Sequence, residues 1–251
     1  MHTGFKLVMF VSCAVLVRSA PKFKAKPLPN YISPCKIDDP DLSKCALSHA
    51  KQAMPTILKG DPAYKVRNLD PFHLEEANIS PNKDLSLILT NVDFSGMDHL
   101  ELLDMNFDLK KKHISAKIHA DLLTITGKYD VSGQILVVPI KGNGPLKLDF
   151  EDCNFVYSFD YDVITQEDGN QYMSNIRPNI EAEIGNARYR LDNLFDGNKE
   201  LGDNVNKVLN ENSKEVLGEF GVVVKEIVNV VALEPLRAYL TTIPLNVLFS
   251  Q

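Results

Sequence analysis

The sequence predicts an α+β protein in which a long, highly curved antiparallel sheet packs against a long C-terminal helix. Three observations lead there. Much of residues 64–191 places apolar side chains at every second position, the period of a half-buried strand. Residues 201–234 place them at three-to-four spacing, the period of a helix. Inside the strand region the apolar phase slips by one, from Leu146, Leu148 and Phe150 to Cys153, Phe155, Tyr157, Phe159, Tyr161 and Val163. Such a slip marks a bulge or bend, the device by which a long sheet curls.

The elements follow in chain order. Lys6 precedes an eleven-residue, mostly apolar run, LVMFVSCAVLV, and small residues come after it. That describes a secretory signal peptide over residues 1–20, too short an apolar run for the ~20 residues of a bilayer span. Cleavage after Ser19 is expected, and residues 21–251 then form one domain. The mature chain keeps 25 basic and 33 acidic residues, a net charge of −8, because only Lys6 and Arg18 are removed. A chain with that balance is not built to bind nucleic acid, which needs clustered Lys and Arg. The run Lys110-Lys111-Lys112 reads as a solvated turn.

After a Pro-rich lead-in, DDPDLSKCALSHAKQAMPTILKG reads as a helix with Asp39 as N-cap and Pro40 in its first turn. Leu42, Cys45, Ala46, His49, Ala53 and Ile57 share one face, Pro55 should kink or end the helix, and Gly60 closes it. In a secreted chain, Cys35 and Cys45 suggest a local disulfide; a metal pair is the weaker option, since no second Cys or His pair stands at ligand spacing. Cys153 remains unpaired and reads as a buried thiol.

Among the strands, KHISAKIHADLLTITG is the clearest. Ile114, Ala116, Ile118, Ala120 and Leu122 point one way, and His113, Ser115, Lys117 and His119 the other. The two histidines lie roughly 20 Å apart along a strand, so they cannot chelate one metal unaided. Turn signals follow at Ser95-Gly96, Ser132-Gly133, Gly142-Asn143-Gly144-Pro145 and Asp168-Gly169-Asn170. The stretch GNKELG carries glycines at the spacing of a phosphate loop. However, Asp203 and Asn204 follow it where Lys and Ser or Thr would be needed. It reads as a helix entry, with Gly197 in a turn and Asp203 as N-cap.

No catalytic motif appears: there is no G-x-S-x-G, H-E-x-x-H or C-x-x-C. Asp160 and Asp162, like Asp149, Glu151 and Asp152, read as polar exterior. A lipid-acting hydrolase would also lack a recognisable nucleophile, so no enzymatic activity and no cofactor are expected. Asn78-Ile79-Ser80 is a glycosylation sequon, weakened by Pro81. An apolar supply this broad, with no catalytic groups, either fills a core or lines a cavity for an apolar ligand.

Several stretches in order resemble the insect takeout and juvenile-hormone-binding family, often described as circadian-clock-controlled. They are the Cys35/Cys45 pair around DDPDL, NLDPFHLEEANI, NVDFSGM, YDVSGQILVVPIKGNGPLKL, NLFDGNKELGDNVNKVLNENSKEV and IPLNVLF. Together they span essentially the whole mature chain. The resemblance implies a helix wrapped by a highly curved sheet, with a tunnel for a lipophilic ligand and an N-terminal disulfide beside its mouth. Haemolymph hormone carriers hold a second disulfide in the later half, and Cys153 has no partner for one. The chain therefore resembles the takeout branch.

On these grounds the expected protein is a secreted, extracellular, monomeric carrier without stable membrane insertion. Its ligand would be terpenoid, fatty-acid-like or quinone-like, with a possible link to circadian rhythm, feeding or behaviour. The alternative is a secreted signalling factor that acts through a protein receptor. Periodicity nominates as tunnel walls Met54, Ile57, Phe94, Ile118, Leu122, Tyr129, Leu136, Val138, Phe155, Phe159, Phe220, Val223, Ile227 and Val230.

Overall fold

A computed structural model describes residues 25–79 and 83–251, apart from the side chains of Val222 and Val224. The expected leader and Ser80 of the sequon lie outside the described residues. The chain begins with β1 (Cys35–Lys36) and α1 (Leu42–Leu58), then β2 (Phe72–Ile79), β3 (Leu85–Ser95) and β4 (Glu101–Asp108). Three long strands follow: β5 (His113–Ile135), β6 (Val138–Thr165) and β7 (Gln171–Leu191). The C-terminal part holds α2 (Lys199–Glu211), α3 (Ser213–Leu240), the short α4 (Leu245–Leu248) and β8 (Phe249–Ser250).

The main sheet is antiparallel, in the order β2-β3-β5-β6-β7, with β4 also paired to β5. A second, two-stranded sheet joins β1 to β8 in parallel, and the Cys35–Cys45 disulfide fastens β1 to α1. The arm before β1 is tied down too. Lys26 N donates to Thr242 O at 2.9 Å, the Tyr64 hydroxyl donates to Pro27 O, and Tyr31 links Asp61 to Tyr239.

The inner face of the three long strands is a ladder of cross-strand rungs. In order they are Ala116–Tyr157–Ile180, Ile118–Phe155–Ala182, Ala120–Cys153–Ile184, Leu123–Phe150–Ala187 and Ile125–Leu148–Tyr189. Between the third and fourth rungs all three strands change phase together. Asp121 and Leu122 are both exposed, Asp152 adopts φ +51°, and Gly185 and Asn186 are both exposed. A Cβ on Gly185 would sit 2.9 Å from the Asp152 Cβ, so the bend needs a residue without one. The phase slip expected from the sequence is this bend, and here the sheet turns to wrap the helices.

The helices differ in detail from expectation. Asp41, not Asp39, precedes α1, and Pro55 lies within the helix instead of ending it. The C-terminal helical stretch is two helices broken at Asn212, and α3 runs through Pro235 to Leu240. Asn198 rather than Asp203 caps α2, accepting from Leu201 N at 3.1 Å. Asp203 instead pairs with Lys199 at 2.6 Å. Gly202 sits inside α2 beside Leu194, where a Cβ would make ordinary contact. Gly197, at φ +85°, makes the turn before it. The GNKELG stretch is thus a helix entry whose lysine is occupied by its own carboxylate.

Two asparagines fasten α2 to the free edge of β7. Asn206 bonds both the N–H and the C=O of Leu191, and Asn210 does the same for Tyr189. Each side-chain amide supplies the donor and acceptor that a neighbouring strand would offer, which closes an otherwise open sheet edge. The α3 helix then lies along β7, and α1 packs against β4.

Candidate functional site

Between the sheet, α1 and α3 lies a cavity of about 330 Å³. Its walls come from four directions. Ala50, Met54, Ile57 and Leu58 project from α1, and Leu69, Phe94, Ser95, Met97 and Leu100 from the β2–β4 region. Ile118, Leu123, Thr124, Ile125, Phe150, Cys153, Phe155, Tyr157, Ile180 and Ile184 form the sheet wall; Ile227, Val228, Val231, Ala232 and Pro235 of α3 close the fourth side. Along β6 the wall runs from Tyr157 to Phe150, about 23 Å of strand.

No charged side chain is among these lining residues. Thr124 turns its hydroxyl to Asp149 Oδ1 at 2.7 Å, so its polar atom is already partnered. Tyr157 is different. It is 5% exposed, and its hydroxyl is one of two buried side-chain polar atoms without a hydrogen-bond partner among the described residues. The other is Asn229 Oδ1 on α3, which is not a wall residue. Burial pushes the Tyr157 hydroxyl up to about 12, against a weaker opposing pull from Arg237. It is therefore a protonated donor at neutral pH, and an unused one. Leaving such a group unpaired costs about 1–3 kcal/mol.

Cys153 also lines the cavity, fully buried and free, its thiol raised to about 12 by burial and by Asp152. Burial holds it as the protonated thiol in the cavity wall. Cys35, Cys45 and His49 lie close together, but both sulfurs are held in the disulfide. His49 Nδ1 lies 2.9 Å from Ser33 O. His113 pairs with Asp160 at 2.8 Å, and His119 contacts Asn154 and Asp121, all on the outer surface. Asp162 binds Arg177 and Asn175.

Of the residues nominated from periodicity, Met54, Ile57, Phe94, Ile118, Phe155 and Ile227 line the cavity. Leu122 does not: the bend turns it out to 46% exposure. Val230 lies on the outer side of α3, 51% exposed. Tyr129, Leu136, Val138, Phe220 and Val223 belong to a second core beyond the Ile125–Leu148–Tyr189 rung, and Phe159 packs past the opposite end. Strand and helix periods identify a facing but not a position along the axis, so they could not separate cavity from filled core. Leu123 and Ile125 were missed because they follow the phase slip. Ile180 and Ile184, alternating on β7, carried the same period-two signal as the nominated residues. Asn78 is exposed on β2, and its amide donates to Glu76 at 3.1 Å.

No described helix is long and apolar enough to cross a membrane. In sequence, the chain is 24% identical to the circadian clock-controlled protein daywake of Drosophila melanogaster over 218 residues, 82% of this chain and 79% of that protein. It is 25% identical over 112 residues to a putative beta-carotene-binding protein of Schistocerca gregaria, 43% of this chain and 44% of that one. In structure, it superposes on Epiphyas postvittana Takeout 1 with a TM-score of 0.78 and 28% identity, covering 88% of this chain and all of that one. The family model for haemolymph juvenile hormone binding protein matches residues 7–250. This chain belongs to that family.

Proposed function

We propose that this protein is a secreted, non-enzymatic carrier of a small, neutral lipophile bearing one hydrogen-bond-accepting oxygen. The observation that carries the reading is a cavity of about 330 Å³ whose lining holds no charged side chain; Tyr157, one of the lining residues, carries a buried hydroxyl without a partner among the described residues. Apolar burial, at about 25 cal/mol per Å² before ordering costs, supplies the affinity. Tyr157 then supplies orientation by donating to a carbonyl, ester, ether or hydroxyl oxygen. A free carboxylate fits poorly, because no cation lines the cavity to offset its desolvation. Terpenoid esters and quinone-like compounds therefore suit the site better than fatty acids. A pure hydrocarbon such as the carotene in the locust relative's name would leave Tyr157 unpaired. Secretion rests on the leader-like residues 1–20, and glycosylation at Asn78 on its exposed sequon. The names of the daywake relatives suggest a role in circadian output, and a monomer is the proposed working form.

The test is displacement of N-phenylnaphthylamine from the purified protein by neutral terpenoid esters, compared with Ile227→Trp. The native protein should take up the probe and release it to the esters, while the variant, its cavity filled by the indole, should do neither. Normal uptake by a folded Ile227→Trp protein would count against the site. No uptake by the native protein would favour action through a protein receptor.

A further inference from the structure

Three hydrophobic cores lie among the described residues, and Ile125, Leu148 and Tyr189 pack against two of them. These three residues form a single rung, directly paired across β5, β6 and β7. On one side of it lies the cavity, which Ile125 lines directly, while Leu148 and Tyr189 stand beside Ile125 in the rung without lining it. On the other, Tyr129 and Leu146 are buried in the second core, and the Tyr129 hydroxyl donates to Asp192 O at 2.7 Å.

Tyr189 is the firmest member of the rung. Its backbone is clamped by Asn210 on both N–H and C=O, and its hydroxyl donates to Ser213 O at 3.1 Å. A ring held at both its backbone and its tip has little freedom to swing aside for a longer guest. From Tyr157 at one end to this rung at the other, the space admits a molecule of limited length.

We propose that the Ile125–Leu148–Tyr189 rung is a length stop, with Tyr189 as the residue that sets the longest lipophile the cavity accepts. This rests on the carrier reading above. Truncating Tyr189 opens the cavity toward the second core by about one rung-to-rung step, roughly 7 Å.

The experiment is a homologous series of straight-chain methyl ketones competing with N-phenylnaphthylamine for the full mature protein, Tyr189→Ala, Leu148→Ala and Tyr189→Phe. In the native protein, affinity should rise with each added methylene and then break. The break should move to longer chains in Tyr189→Ala, and in Leu148→Ala should Tyr189→Ala fail to fold. It should stay in place in Tyr189→Phe, which keeps the ring. An unchanged break in the folded truncations, or no break in the native protein, overturns the stop while leaving the carrier intact. If the native protein binds neither probe nor ketone, the carrier reading falls and the stop falls with it.

Discussion

The Asn206 side chain pairs with both backbone polar groups of Leu191, each at 2.9 Å, so that a helix completes a sheet edge through a side-chain amide. Four residues on, Asn210 repeats the arrangement at Tyr189. Residues four apart share a helix face, while residues two apart on a strand share an orientation. The match of these two periods makes the pairing possible.

Asn206→Leu should therefore cost about 2–3 kcal/mol, since its bonds to the Leu191 N–H, the Leu191 C=O and the Gly202 C=O are lost and the Leu191 groups lose this partner. Urea unfolding measures it. A cost under about 0.5 kcal/mol would mean that water replaces the amide freely.

Gly185→Val should cost about 1–3 kcal/mol through overpacking, because its Cβ must displace Asp152 at the bend. Gly218→Ala is the control. Nothing lies within 4 Å of a Cβ there, so the mid-helix change should be neutral or stabilising. Thermal melts of both variants check the pair.

Replacing Cys35 and Cys45 by alanine should cost about 3 kcal/mol, the chain-entropy value for a loop of this length. The loosened β1 should also expose β8 and the arm before it. Limited proteolysis should cut the arm first, and cutting elsewhere would contradict its tethering role.

Cys153 should be silent to Ellman's reagent at pH 8 in the folded protein and react fully in guanidinium. Burial, and then Asp152, push its folded thiol up to about 12 from the ordinary value of about 8.5, so the folded state holds the proton more tightly. The stability it contributes is present below about pH 8.5 and is lost as pH rises towards 12. Rapid labelling of the native protein would contradict the burial.

Tyr157→Phe removes an unpartnered hydroxyl, so the empty protein should be as stable as the native one or more so. Affinity for an oxygenated lipophile should fall by about 1 kcal/mol, roughly fivefold, while affinity for a hydrocarbon of similar shape should hold or improve. Equal losses for both ligands would remove the hydroxyl's role.

Much of this fold is legible in the sequence. The alternation of Cys153, Phe155, Tyr157 and Phe159 identifies a strand with a buried face, and the slip after Phe150 marks the bend. The period change after Gly197 announces the helices. What could not be read is where the interior is empty. Phe155 and Phe159 look identical by period, yet one lines the cavity and the other fills a core. The difference lies in which residues stand opposite, information held in pairing register and helix placement. Leu122 misleads for a related reason: the bend visible on β6 also passes through β5, where Asp121 and Leu122 carry no phase mark of their own. The break at Asn212 was hidden because α2 and α3 continue one another's apolar spacing.

The central claim is that the cavity beside Tyr157 carries a lipophile. Its most direct test is solvent extraction and mass spectrometry of the protein purified from insect-cell medium, alongside the Ile227→Trp variant. The account predicts a stoichiometric neutral, oxygen-bearing lipophile from the native protein and none from the variant. A native protein that comes out empty, and stays empty after exposure to terpenoid esters and quinones, would contradict it.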